Sequence, residues 1–424
     1  MMPPERVSNR QIAKTILSTL GFLFNAVAAL VLGVIGLAIM VSGETTGQSG
    51  SLLWSLGWSS LLSALLIFPA AIQGWFRLLH RNPPVWQAKH PFLIASLGLL
   101  LWPLFLWLAN HISGQSTAGL ALPLVRIMII LLPIWWFFEI GRRKITASSS
   151  ERNWAVAGIS LTITPLIIIS LETVVLILAV GFVLSMLSSV PGFADQMAWL
   201  SGRLLSGLDN PELALQIIAP YFAQPVILLT SLGLFSGLVP LLEELLKPLV
   251  LWTWIKRRLS PAEGFVIGLI CGGIFALMES LMAANAGSGE FLRDLAVARV
   301  GTGLLHMATS GLVGATMAYA WQNGKYLRLA IAYAISVFWH GLWNFFAVLT
   351  GFGSLLPGMI QSEFLNRLNT ITPAALVIML IISLALMIGA NRIVRRDSQP
   401  APVFGIPRTV LVSSETDAVP PVVE

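Results

Sequence analysis

The residues able to do chemistry lie in apolar surroundings. Pro240-Leu-Leu-Glu243-Glu244-Leu-Leu-Lys247-Pro248 carries two adjacent acids and a lysine. Glu279 follows in Phe275-Ala-Leu-Met-Glu279, then His306, then His340 in His340-Gly-Leu-Trp-Asn344. Neighbouring carboxylates in a low dielectric titrate as a coupled pair, and such a group can serve as general base towards water. On a helix Glu243 and Lys247 are i,i+4 and share a face, which lowers the cost of burying both. Glu244 is turned by about 100° from Glu243. His340 and Asn344 are also i,i+4, and an imidazole with an amide N–H can stabilise an oxyanion. Alternatively His306, His340 and a carboxylate can hold Zn²⁺ or another divalent metal, since two His and one Glu form a known zinc set. Spacing alone does not choose between these chemistries.

The elements that must position these groups are membrane-spanning helices. Of 424 residues, 56% are hydrophobic and only 10% are charged, against about 25% in soluble domains. Apolar runs of at least 18 residues recur, each able to cross about 30 Å of hydrocarbon. Such runs must satisfy their own backbone and are therefore helical, and no strand-like alternation suggests a barrel. We expect an all-α, polytopic transmembrane bundle of about ten spans at 16–42, 52–73, 92–112, 118–140, 154–187, 225–255, 262–284, 298–321, 329–350 and 372–391. The fifth is long enough to hold a break near Pro165. At 1.5 Å per residue, Glu243, Glu279, His306 and His340 lie about 20, 23, 24 and 18 Å from one membrane face. Four antiparallel spans thus bring their polar groups to one level. An ionisable group at such depth costs about 2.5–3.5 kcal/mol on insertion scales and commonly marks function.

Charge placement orients the chain. Connections on one side, with both terminal segments, carry 19 of the 25 Lys and Arg. The positive-inside rule then puts both termini in the cytoplasm. Clustering of the basic residues between spans argues against a nucleic-acid partner for the net charge of +6. The lone cysteine, Cys271, allows no disulfide within the chain. The first apolar stretch is too long for a signal-peptide core and reads as a retained span. The expected organisation is a five-span region at 1–190, an extracytoplasmic loop at 191–224, a four-span core at 225–350, a last loop and span at 351–396, and a disordered cytoplasmic tail at 397–424. Arg126 and Glu172, deep in spans four and five, are expected to form a structural ion pair. Gly264, Gly268 and Gly272 recur every fourth residue in span seven, a spacing that lets helices approach closely.

The ordered set Glu243-Glu244-Leu-Leu-Lys247, Phe275-Ala-Leu-Met-Glu279, His306 and His340 resembles the PrsW family of bacterial intramembrane proteases. The late His340-Gly-Leu-Trp-Asn344 is also similar to the CAAX prenyl protease and bacteriocin-processing family. Glu279, where that family has His, favours the PrsW side. The resemblance covers roughly residues 225–350. It implies cleavage of a peptide bond in or near the bilayer of a bacterial cytoplasmic membrane, by metallo- or glutamic-type chemistry. The expected partner is a membrane-anchored protein or peptide substrate, such as an anti-sigma factor or a precursor peptide. The implied catalytic set is Glu243, Glu244, Lys247, Glu279, His306, His340 and Asn344, with Glu244, Glu279, His306 and His340 as the metal ligands. Two other readings compete. The same Glu and His groups can form the relay of a proton- or ion-coupled transporter, or be the remnant of a protease core in a non-catalytic scaffold.

Overall fold

A computed structural model describes residues 8–397 apart from 43–46, 87, 113–117, 146–148, 190, 207–223, 254, 256–258, 287–290 and 356–362. The described residues form helices connected by short turns, with no strand among them. In chain order they are α1 (Asn9–Ser42), α2 (Gly47–Leu78), α3 (Pro91–Leu100), α4 (Trp102–Ile112), α5 (Ala118–Gly141), α6 (Ser150–Thr162), α7 (Thr164–Ser188), α8 (Phe193–Ser206) and α9 (Pro225–Gly233). A π turn at Leu234–Leu238 joins α9 to α10 (Val239–Leu246). There follow α11 (Leu249–Trp252), α12 (Pro261–Ala286), α13 (Phe291–Asn323), α14 (Tyr326–Leu355) and α15 (Glu363–Asp397). Part of the expected outer loop, 207–223, and the tail from Ser398 lie outside the described residues, as do Lys256, Arg257 and Arg258.

Among the described residues nine helical stretches are long and apolar enough to cross a membrane. They correspond to nine of the ten expected spans. The remaining one, 298–321, lies within α13 and is the informative exception. This helix carries Arg299, Thr302, His306, Thr309 and Ser310. Residues 301–310 are all buried. A helix surrounded by protein has no need of an apolar surface towards lipid, so its composition follows its neighbours rather than the bilayer.

Several expected spans are broken, each at a proline. Pro165 follows the joint at Ile163 that separates α6 from α7, in keeping with the break anticipated there. Pro103 sits just inside α4, after the joint at Leu101. Pro248 divides α10 from α11. A proline lacks the N–H that would continue the ladder and crowds the preceding turn.

The core forms where α12 and α13 meet. Phe265, Leu269, Ala276, Leu277, Leu304 and Met307 pack with Ile127, Ile130, Ile134 and Phe137 of α5 and Met387 of α15 in one cluster. The N-terminal half therefore supplies part of the wall of the bundle that carries the acids. The glycine stripe of α12 explains how α13 comes so close. A Cβ on Gly264 would strike the backbone carbonyl of Gly314, one on Gly268 that of Ser310, and one on Gly272 that of His306 itself. The approach that seats the imidazole thus depends on a missing methyl.

Gly268→Val should cost on the order of 1–3 kcal/mol by overpacking. Gly389→Ala, at a helical position with open space around it, should gain about 0.5–1 kcal/mol from the backbone alone. Unfolding midpoints of the two variants in detergent test the contrast.

Candidate active site

The turn that leads into the acids is unusual, and its cause is readable. In the π turn the N–H of Val239 bonds to the carbonyl of Leu234, five residues back. Continuing that pattern, the carbonyl of Phe235 would need the N–H of residue 240, which is Pro240 and has none. Asn344 of α14 fills the gap: its Nδ2 donates to the Phe235 carbonyl at 3.0 Å. Gly341, one turn earlier, lies so close that a Cβ would strike the carbonyl of Ser236. Span nine is thereby locked against the turn just before Glu243. Such π insertions often accompany functional sites.

Lys247 lies at the centre of the site and is fully buried. Its Nζ is 2.9 Å from Glu243 Oε2 and 2.9 Å from Glu244 Oε1. It also lies 2.7 Å from His306 Nδ1 and 3.5 Å from His340 Nδ1. The two acids point in different directions on α10, yet one lysine three and four residues later reaches both. Glu244, His306 and His340 are buried, and Glu243 nearly so. The Phe275 ring closes one side, with its centroid 4.6 Å from Nζ.

Hydrogen bonding fixes the imidazoles. His306 Nε2 donates to Glu279 Oε2 at 2.9 Å, so its Nδ1 presents a lone pair to the centre. Glu279 is held in turn by Arg299, whose Nη1 is 3.0 Å from Oε1 and whose Nε donates to Ser280. His340 Nδ1 donates to Glu244 Oε1 at 3.0 Å, which leaves its Nε2 open, 3.8 Å from Glu243 Oε2. Thr309 adds a further donor to Glu244 Oε1 at 3.2 Å. The other oxygen, Glu244 Oε2, is buried without a hydrogen-bond partner.

The structure redraws three of the expected roles. Among the described residues the donors that converge for a metal are Glu243, His306 and His340, with ligand atoms within 4.8 Å of one another. Glu244 is outside that set, and Lys247, His340 and Thr309 engage one of its oxygens. Glu279 is also outside it: its Oε2 accepts from His306 Nε2, the ring nitrogen turned away from Lys247. Asn344 braces the π turn, and its described hydrogen bond does not reach the acids.

Two residues were missed. Arg299, at the edge of the expected span 298–321, lies in α13 and pairs with Glu279. Glu172 lies on α7, which packs against α10, the helix of the two acids. No spacing rule pairs a residue of α7 with one of α10, although the depth of Glu172 in an apolar run was itself a signal.

The residues present suit a divalent metal. They offer one carboxylate and two imidazoles, one of them oriented by an outer carboxylate, and they already surround a cation, the Lys247 ammonium. Comparison with protein families matches residues 175–386 to the PrsW family intramembrane metalloprotease. No curated protein and no solved structure matches the chain.

Lys247→Met should leave two buried carboxylates without their cation and cost about 3–5 kcal/mol. Adding Glu244→Gln to the same chain should restore part of that loss. Denaturant unfolding in detergent measures both.

Proposed function

Because this chain belongs to the PrsW family of intramembrane metalloproteases, we propose that the Lys247-centred cluster hydrolyses a peptide bond of a membrane-anchored protein. The observation that carries this reading is the convergence of Glu243, Glu244, His306 and His340 on one buried point. Glu243, His306 and His340 would hold the metal, which when bound would polarise the scissile carbonyl and acidify a water. The chain's own residues do the rest. Glu244 stays ionised because Lys247, His340 and Thr309 all donate to Oε1, and its unengaged Oε2 accepts the proton of the attacking water. Glu279 fixes the tautomer and ring plane of His306, while Arg299 holds Glu279. Asn344 and Gly341 keep α14 against the turn that sets the direction of both acids.

The substrate class that suits the site is a membrane-anchored protein or a precursor peptide, of which an anti-sigma factor is one candidate. The placement of basic residues favours a bacterial cytoplasmic membrane with both termini on its inner side. A transporter built on the same groups draws no support from the family, whose described activity is proteolysis.

Purified protein assayed against a library of membrane-protein substrates should cleave some of them. Glu244→Gln should lower kcat by roughly 10²–10⁴, the usual contribution of a general base. Equal cleavage by wild type, Glu243→Gln and Glu244→Gln would remove this reading. Metal titration gives an independent readout: Glu279→Gln should weaken divalent-metal binding by about 10–100-fold, as loss of an outer carboxylate does.

A further inference from the structure

A polar cavity of about 180 Å³ lies between α1, α2 and α6, and no residue of the Lys247 cluster lines it. Its walls fall between Gln11 and Ile159. They precede the segment 175–386 matched by the family, so nothing in that match assigns the cavity a role. Two local features build it. A Cβ on Gly74 would strike Thr15 Oγ1, so α1 and α2 meet closely here. Ser149 caps α6 by accepting from the Arg152 N–H, which brings the start of that helix to the cavity.

One part of the lining suits an anion. Lys14 and Arg152 both contribute to it. Arg152 Nη1 pairs with Glu263, one end of a guanidinium that has five N–H donors. The first N–H groups of α6 have no partner within the helix, and its dipole favours negative charge there. Glu151 also lines the cavity, and Arg77 engages both its oxygens.

The other part offers acceptors. Gln73 lines the cavity and is only 2% exposed. Its Nε2 donates to the Pro84 carbonyl at 2.9 Å, while its Oε1 has no hydrogen-bond partner. A buried polar atom left in that state is costly. Thr15 and Ser18 are buried as well. Their hydroxyls donate to the Gln11 and Lys14 carbonyls, so they meet a ligand as acceptors. The fitting ligand therefore carries both a negative charge and hydrogen-bond donors. Phosphate joined to a polyol has both. An ammonium headgroup would set a further cation beside Lys14 and Arg152, which hydroxyls avoid. The level is that of a bilayer surface: Trp75 and Trp154 adjoin the lining residues Gly74 and Ala155, as aromatic residues do among headgroups.

We propose that this cavity binds a membrane phospholipid whose phosphate is esterified to a polyol such as glycerol. The phosphate lies at Lys14, Arg152 and the start of α6. The hydroxyls donate to Gln73 Oε1, Thr15 and Ser18. The inference is independent of the protease reading and gives the first half of the chain a lipid site of its own.

The test titrates the full chain, purified in detergent and stripped of lipid, and reads binding by native mass spectrometry and by the unfolding midpoint. Phosphatidylglycerol should bind and raise the midpoint, as a ligand of the folded state does. Phosphatidic acid, which lacks the polyol, should bind roughly 10-fold more weakly. Lys14→Gln should weaken phosphatidylglycerol binding by roughly 10-fold, the loss of one charge-assisted hydrogen bond. Gln73→Met should abolish the preference for phosphatidylglycerol over phosphatidic acid, a ratio that a general loss of stability does not move. Lys325→Gln, an exposed position outside the cavity, should change nothing. Equal binding of phosphatidylcholine, or of phosphatidic acid by the wild type, overturns the proposal. So does a Lys325→Gln variant as weak as Lys14→Gln, which would mean attraction to the whole basic surface. Soluble glycerophosphoglycerol that binds as tightly as the lipid would assign the cavity to a free ligand and overturn it too.

Discussion

One lysine ammonium, buried in the middle of a helical bundle, is the interaction on which the rest of the structure depends. Two carboxylates at this depth repel each other, and neither can be hydrated by bulk water. Lys247 lies within 2.9 Å of both and within hydrogen-bond reach of His306 as well. For the ammonium to collect these partners, α10 must bring two differently directed acids to it, α13 must bring His306, and α14 must bring His340. Each requirement has its own local device. The π turn and Pro240 set the entry of α10, Gly272 lets α13 come down on α12, and Gly341 with Asn344 pins α14.

The same centre explains why metal-binding residues and a lysine can occupy one site. A set of two imidazoles and a carboxylate without a cation would leave buried negative charge uncompensated. Lys247 balances that charge within the chain, so assembly of the bundle does not rest on capture of an ion. A metal held by Glu243, His306 and His340 would take over the charge balance of those residues, while Lys247 has Glu244 as a further partner at 2.9 Å. The lysine thus contacts Glu243 and His306, two of the three residues that could hold a metal. The geometry therefore ties the ionisation of the base to the occupancy of the centre.

Much of this was legible in the sequence, because the bilayer imposes strong rules. Apolar length located the spans, and helix rise put Glu243, Glu279, His306 and His340 at one level, where Glu243, His306 and His340 do surround a common point. What could not be read was the order of the helices around that point. Glu172 was matched to Arg126 because both lie deep and carry opposite charges; that α7, after the break at Ile163, packs on α10 was not readable. Arg299 looked like a loop residue because it stands at the edge of an apolar run, and α13 extends well past that edge. Asn344 shares a face with His340, which suggested joint work on an oxyanion. The deciding factor was a missing N–H at Pro240, on a helix about a hundred residues away. Depth is a one-dimensional property and survives folding intact. Partnership depends on rotation and neighbour order, which hydropathy does not encode.

Hydrolysis inside a membrane also requires that water reach the acids, and the distribution of burial shows the direction. Glu244, Lys247, His306 and His340 are sealed. The Glu279 side chain, one hydrogen bond beyond His306, is 38% exposed. Arg299 and Ser280 continue the polar line from there. Hydrogen bonds therefore link the buried centre through His306 to Glu279, while the Phe275 ring packs against Lys247 and His306. The Glu279 carboxyl thus both receives the His306 Nε2–H and pairs with Arg299. This double duty accounts for Glu279 at a position where a histidine would supply a ligand but neither the charge for Arg299 nor the acceptor for His306 Nε2.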